Sequence, residues 1–162
     1  MPAHHNGPVS SNVRRHTGHI VILTLKVTLL YGPYATEKWE GTLEVDGKSP
    51  LQELHAAIQR ILNFDDDHLY ELFIARTERS RDKITFDDEN GGIYETTINS
   101  LYPLPDKRNL YYLFDYGDSW LFKITRARTP EQKAVRKVKY PRLTHESGTR
   151  PPQYPSDADS DA

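Results

Sequence analysis

Two histidines and two aspartates in this chain have the chemistry of metal ligands or acid–base groups. His55 lies in a segment with helical spacing, His68 begins a predicted strand, and Asp115 and Asp118 flank a predicted tight turn. Imidazole nitrogens and carboxylates together suit Zn²⁺, Fe²⁺ or Mn²⁺, and an open coordination position would permit metal-dependent hydrolysis. Their spacing matches no established motif, so they define a candidate functional cluster without an assigned metal or catalytic residue.

In the alternative interpretation these residues are structural. His55 is then a half-buried histidine that hydrogen-bonds to a backbone or carboxylate partner, and His68 shapes the turn from a helix to a strand. Ser119, beside Asp118, would need a base within hydrogen-bond reach to act as a nucleophile, and nothing in the sequence places one there. We assign no cofactor from these residues.

A second candidate site is the basic segment, residues 126–142, which carries seven Lys or Arg residues against one Glu. Its cations would contact phosphates, and Tyr140 would stack on a base. The whole chain has a net charge of −2, unlike a typical nucleic-acid binder, and the acidic end of the chain offers an internal partner for these cations. The predicted nucleic-acid-binding or partner-binding residues are Arg136, Lys137, Lys139, Tyr140 and Arg142.

The first half of the chain predicts a hairpin followed by a helix. Apolar residues alternate over 19–31 and 38–45, which is typical of strands. Ser49 precedes Pro50, and apolar residues at helical spacing follow as far as Asn63. We therefore predict an amphipathic helix that Ser49 caps. The three aspartates after it, residues 65–67, are interpreted as a solvated turn.

The second half predicts further strands over 68–76 and 83–86 and a second hairpin over 110–125. Gly117 and Asp118 fit a two-residue type II′ turn between the hairpin strands. Trp120, just after this turn, is expected to fill the core. The predicted fold class is α+β, with a mixed sheet of two hairpins and additional strands, one main packed helix and a β-grasp-like opening.

Composition sets the outer limits of this interpretation. The 162 residues include 36% hydrophobic residues and no cysteine, which excludes disulfides and cysteine-ligated metals. There is no apolar run long enough for a membrane helix and no signal-like leader, so we expect a soluble, cytoplasmic protein. We predict a tail over 1–18, one domain over 19–142, and a Pro-rich, acidic, disordered tail over 143–162.

Four runs in this order point to a known family. They are the pair Leu54-His55, the run Phe64-Asp-Asp-Asp-His-Leu-Tyr-Glu-Leu-Phe73, the run Tyr112-Leu-Phe-Asp-Tyr-Gly-Asp-Ser-Trp120, and Lys139-Tyr-Pro-Arg142 followed by Pro151-Pro152. The chain resembles the family named after the third open reading frame of an Ri plasmid, over about residues 22–152. This resemblance implies an α+β fold and plasmid or transposon neighbours, and the function of the family is generally described as unknown.

We interpret the protein as a non-enzymatic binding module with a protein or nucleic-acid partner. No set of residues has catalytic spacing, and the positive charge is concentrated in one segment. The alternatives are a metal-dependent hydrolase built on the His/Asp cluster and a small-molecule-binding domain with its site between helix and sheet.

Overall fold

The computed structural model describes residues 20–155, so the predicted N-terminal tail and residues 156–162 lie outside the described range. One antiparallel sheet with helices on one face forms the fold. Its strands are β1 (Val21–Tyr31), β2 (Trp39–Asp46), β3 (Tyr70–Ala75), β4 (Lys83–Phe86), β5 (Asn109–Phe114), β6 (Trp120–Arg126), β7 (Gln132–Lys133) and β8 (Arg142–Gly148). The helices are α1 (Leu51–Leu62), the single turn α2 (Gly92–Glu95) and a 3₁₀ helix at Ile98–Leu101.

The strands are ordered β4-β3-β5-β6-β1-β2-β8, and the short β7 pairs with the start of β1. Every pairing among the described strands is antiparallel. The α+β class is therefore confirmed, whereas the prediction of a mixed sheet is wrong. The predicted order of hairpin, helix and strand is present, and the β-grasp likeness of this opening stays a prediction.

The core lies between α1 and the sheet. Leu51, Leu54 and Ile58 of α1 are at most 1% exposed, and the facing residues of β1 and β5 are at most 2% exposed. Trp120 is completely buried, as predicted. Side chains fill this interface, so the small-molecule alternative does not find an open concavity between α1 and the sheet.

Two local predictions are wrong in their details. Pro50, rather than Ser49, holds the N-cap position of α1, and no side chain caps the helix. The backbone N–H of Leu51 instead bonds to the carbonyl oxygen of Thr96 at 3.1 Å, so a neighbouring segment satisfies a donor that Ser49 was expected to satisfy.

The second hairpin has a five-residue loop rather than a two-residue type II′ turn. Phe114 pairs with Trp120, which leaves residues 115–119 in the loop. Its two ends, Asp115 and Ser119, both have positive φ angles, and the N–H of Ser119 bonds to the carbonyl of Asp115 at 2.6 Å.

The predicted disordered tail from residue 143 is also wrong for the residues that the structure describes. β8 pairs with β2 from Trp39 opposite Gly148 to Glu44 opposite Arg142. Pro151 and Gln153 beyond it are buried. The ordered domain thus extends past residue 142 and includes the segment up to Tyr154.

Candidate functional site

His55 projects from α1 into the core and closes a ring of hydrogen bonds. Its Nδ1 lies 2.6 Å from the Tyr112 hydroxyl, and its Nε2 lies 2.7 Å from Oδ1 of Asp66. Gln59, one turn along α1, donates to the same hydroxyl at 3.0 Å and accepts the backbone N–H of Asp66 at 3.1 Å. A carboxylate can only accept, so Nε2 carries the imidazole proton and the hydroxyl of Tyr112 donates to Nδ1.

Burial keeps His55 neutral in this ring. The side chain is almost inaccessible, and its imidazole stacks on Tyr70 with ring centroids 3.5 Å apart. Burial lowers the pKa of His55, although the neighbouring Asp66 carboxylate acts in the opposite direction. Burial also raises the pKa of Tyr112 well above its usual value, so its hydroxyl keeps its proton. Both imidazole nitrogens are engaged by protein groups, which leaves neither for a metal or a substrate.

His68 and Asp115 of the predicted cluster do meet, with Nε2 3.3 Å from Oδ2. The other oxygen of Asp115 accepts the backbone N–H groups of Gly117 and Asp118 at 3.1 and 3.2 Å, so this carboxylate shapes the hairpin loop. Asp118 contributes its backbone to this arrangement. The four predicted residues therefore do not surround one centre. Within the part of the chain that the structure describes, no group of three or more His, Asp or Glu side chains is placed to hold a metal ion.

Gln153 and Tyr154 fasten the C-terminal segment to the aspartate turn after α1. Oε1 of Gln153 accepts the backbone N–H of Asp65 at 2.6 Å, and its Nε2 donates to Asp67 at 2.9 Å. The Tyr154 hydroxyl donates to Asp67 at 2.6 Å, and this bond lowers the pKa of that carboxyl group. Sequence reasoning missed these contacts because 86 residues or more separate the partners in the side-chain pairs. The aspartate turn is thus a structural junction and not a purely solvated loop.

The basic segment crosses the opposite end of the sheet. β7 lies on one side of β1, and β8 begins beside β2 on the other side. The loop between them is shaped by three hydrogen bonds. The N–H of Ala134 bonds to the carbonyl of Ile20, the N–H of Val138 to the carbonyl of Val135, and the N–H of Val135 to the hydroxyl of Tyr140.

Most cations of this segment lack an acidic partner among residues 20–155. Arg126 pairs with Glu131 at 3.1 Å and Arg142 with Glu44 at 2.8 Å. Five others make no ion pair with any residue between 20 and 155 and are exposed, namely Arg128, Lys133, Arg136, Lys137 and Lys139. Three of the five predicted binding residues therefore offer charge that no residue between 20 and 155 pairs with. Arg142 is paired, and Tyr140 is half-buried with Arg142 near its ring.

Positive and negative charge are concentrated at opposite ends of β1. The aspartate turn and the Asp115 loop lie at its C-terminal end, beside Trp120, while the basic segment lies at its N-terminal end. A strand of eleven residues is about 35 Å long. This separation exceeds the Debye length of about 8 Å at physiological salt, so the two clusters act independently.

No described helix is both long enough and apolar enough to cross a membrane. No curated protein shows significant similarity to this chain. A crystal structure of a protein of unknown function from Methanosarcina mazei Go1 is similar in fold, with a TM-score of 0.63 and 20% sequence identity, over 79% of this chain and 70% of that one. The family model described as plasmid pRiA4b ORF-3-like protein matches residues 22–155. Because this match spans most of the chain, the protein belongs to the plasmid pRiA4b ORF-3-like family.

Proposed function

We propose that this protein is a non-enzymatic module that binds the phosphate backbone of nucleic acid through its basic segment. The observation that carries this proposal is the set of five exposed cations without an ion pair to any described residue. Arg136, Lys137 and Lys139 lie within four residues of one another, so they present a compact positive surface. Phosphate contacts of this kind supply most of the affinity of sequence-independent binding.

A binding role also agrees with the chemistry of the histidine-containing end. His55 and Tyr112 use their reactive atoms to hold the core together. The His68–Asp115 pair is tied into the hairpin loop and the C-terminal segment. The contacts of these side chains explain their positions as part of the fold. A hydrolytic role would require a free reactive atom, and these polar atoms are already bonded to other protein groups.

The number of unpaired cations fixes the expected salt dependence. If all five contact phosphates, the logarithm of the binding constant should fall with the logarithm of salt concentration with a slope of about −3.5 for a single strand or −4.5 for duplex DNA. Neutralising three of them should reduce the slope to about −1.4 or −1.8. Between 50 and 200 mM salt, the single-strand affinity would then fall roughly 100-fold for the native chain and about sevenfold for the variant.

The test is fluorescence anisotropy of the full chain with labelled single-stranded DNA, RNA and duplex DNA over a salt series. The variant combines Arg136→Gln, Lys137→Asn and Lys139→Gln. Asparagine is chosen at residue 137 because its φ is 67°, a left-handed conformation that asparagine tolerates.

The control variant should remove the same charge elsewhere. Arg76, Arg79 and Arg81 are exposed and lie in the turn between β3 and β4, toward the other edge of the sheet. Changing all three to glutamine should leave the affinity and the salt slope within about twofold of the native values. Equal losses in both triple variants would mean that only net charge matters, and absence of binding at 50 mM salt would reject nucleic acid in favour of a protein partner.

A further inference from the structure

A cavity of about 420 Å³ opens directly beside the basic segment. This volume falls within the range of small-molecule sites. Its lining combines apolar and aromatic side chains just before β1 and in the loop before β8 with two polar residues, one at the end of β2 and one in the turn after it. These residues are Ile20, Val135, Val138, Tyr140, Asp46 and Ser49. Arg136 lines the same cavity, so an unpaired cation of the basic segment lies at its wall.

The two polar residues retain hydrogen-bonding capacity. One oxygen of Asp46 accepts the backbone N–H of Lys48 at 2.9 Å. Within residues 20–155, the second oxygen of Asp46 accepts no hydrogen bond, and the hydroxyl of Ser49 neither donates nor accepts one. Asp46 is half-buried, so its carboxylate offers a fixed acceptor rather than a freely moving surface charge.

The aromatic wall is also fixed in position. The Tyr140 hydroxyl accepts the backbone N–H of Val135 at 3.1 Å, and the guanidinium of Arg142 lies 5.8 Å from the centre of its ring. Arg142 is itself held by Glu44. A flat, partly apolar ligand would therefore meet a preformed surface, which reduces the entropy that binding costs.

We propose that this cavity binds an unpaired guanine base of a single strand whose phosphates lie on the basic segment. The inference rests on the proposed function and deepens it by naming the ligand. Guanine presents two adjacent N–H donors on its pairing edge, whereas adenine, cytosine and uracil offer a single donor group on that edge. The free oxygen of Asp46 would accept one of these donors, and the oxygen that accepts the Lys48 N–H has a second lone pair for the other. Single strands are recognised in this way, through stacking on aromatic rings and hydrogen bonds to pairing edges. Arg136 lines the same cavity, so its charge is available to a phosphate next to the bound base.

Asp46→Asn is the informative substitution. Its side-chain oxygen still accepts the Lys48 N–H, so the local backbone is retained, but the second acceptor becomes a donor. The matched control is Asp82→Asn, because Asp82 is almost fully exposed and precedes β4 at the other edge of the sheet. Both changes remove one negative charge from the chain.

The first measurement is a ¹H–¹⁵N NMR titration of the full chain with GMP and, separately, AMP. We expect GMP to shift the amides of Ile20, Ser49 and Val138 much more than AMP does, and we expect Asp46→Asn to abolish this difference. The second is anisotropy with an oligothymidine that carries one central guanine or one central adenine. The native chain and Asp82→Asn should prefer guanine by roughly tenfold, and Asp46→Asn should lose this preference.

The outcomes separate the base site from the phosphate surface. Strand binding without guanine preference and without a selective GMP response overturns the base site and leaves the proposed function standing. A selective GMP response that depends on Asp46, without strand binding, supports the base site and rejects the phosphate surface. Equal responses to GMP and AMP, or a preference that survives in Asp46→Asn, overturn the guanine assignment.

Discussion

Replacing Tyr112 with phenylalanine removes one hydroxyl from the ring of hydrogen bonds around His55. The change leaves Nδ1 of His55 without its donor and Nε2 of Gln59 without its acceptor. All three residues are at most 3% exposed, so water cannot replace the lost partners without rearrangement. Each buried polar group left unpaired costs about 1–3 kcal/mol, so the two groups together should lower the free energy of unfolding by about 2–6 kcal/mol.

The assay is urea unfolding at pH 7.5, followed by tryptophan fluorescence and far-UV circular dichroism. Tyr111→Phe is the matched control, because it is the same chemical change at the next residue of β5, on the opposite face of the sheet. It should cost less than about 1 kcal/mol, in line with the net value of a single hydrogen bond. If the two variants were equally stable, the ring would contribute nothing specific, and the assignment of its donors and acceptors would be refuted.

Three further changes test other contacts. Burial lowers the pKa of His55 in the folded protein, so the unfolded chain takes up this proton at a higher pH than the folded chain does. The free energy of unfolding should therefore have its full value above about pH 6.5 and fall below it by up to about 1.4 kcal/mol per pH unit. His55→Gln should weaken this pH dependence in urea unfolding between pH 7.5 and 5.5. Gln153→Ala removes the bonds to Asp65 and Asp67 and should lower the urea midpoint by an amount equivalent to about 1–3 kcal/mol. Gly148→Ala should detach the end of β8, because φ is 80° there and a Cβ would collide with the backbone carbonyl of Lys38. Hydrogen exchange of the β8 amides should then accelerate, and unchanged exchange would show that the strand tolerates the side chain.

The elements with strong apolar periodicity were predictable from the sequence. β1, β2 and α1 each bury one face, so their patterns indicate both the type of element and the side that faces the core. β8 lacks such a pattern, because Leu143 is its one half-buried residue and the others are exposed. Backbone hydrogen bonds to β2 hold this edge strand, and the sequence carries no signal for them.

The sequence predicted the kind of environment around His55 but not which residues form it. Its position on the apolar face of α1 favours, in the structural interpretation, a half-buried histidine with a backbone or carboxylate partner. The structure shows a buried side chain that bonds to the carboxylate of Asp66. Tyr112 is 57 residues away, so its contact with His55 depends on the pairing of β3 with β5, which local patterns do not determine. Strand pairing also brings His68 close to Asp115, as the predicted cluster requires, whereas His55 bonds to Tyr112 and Asp66 instead.

The distribution of contacts separates stability from binding in this fold. The ring of hydrogen bonds around His55 and the bonds of Gln153 to the aspartate turn join α1, β5 and the C-terminal segment at one end of the sheet. At the other end, the unpaired cations contribute no ion pairs within the described chain, and exposed charges of one sign repel each other weakly. Neutralising Arg136, Lys137 and Lys139 should therefore leave the urea midpoint unchanged or slightly raised while it weakens phosphate binding. Tyr112→Phe should do the reverse, because the fraction of molecules that remains folded keeps an intact basic segment. A charged surface that contributes nothing to folding is free to serve binding, and a loss of stability in the triple variant would contradict this separation.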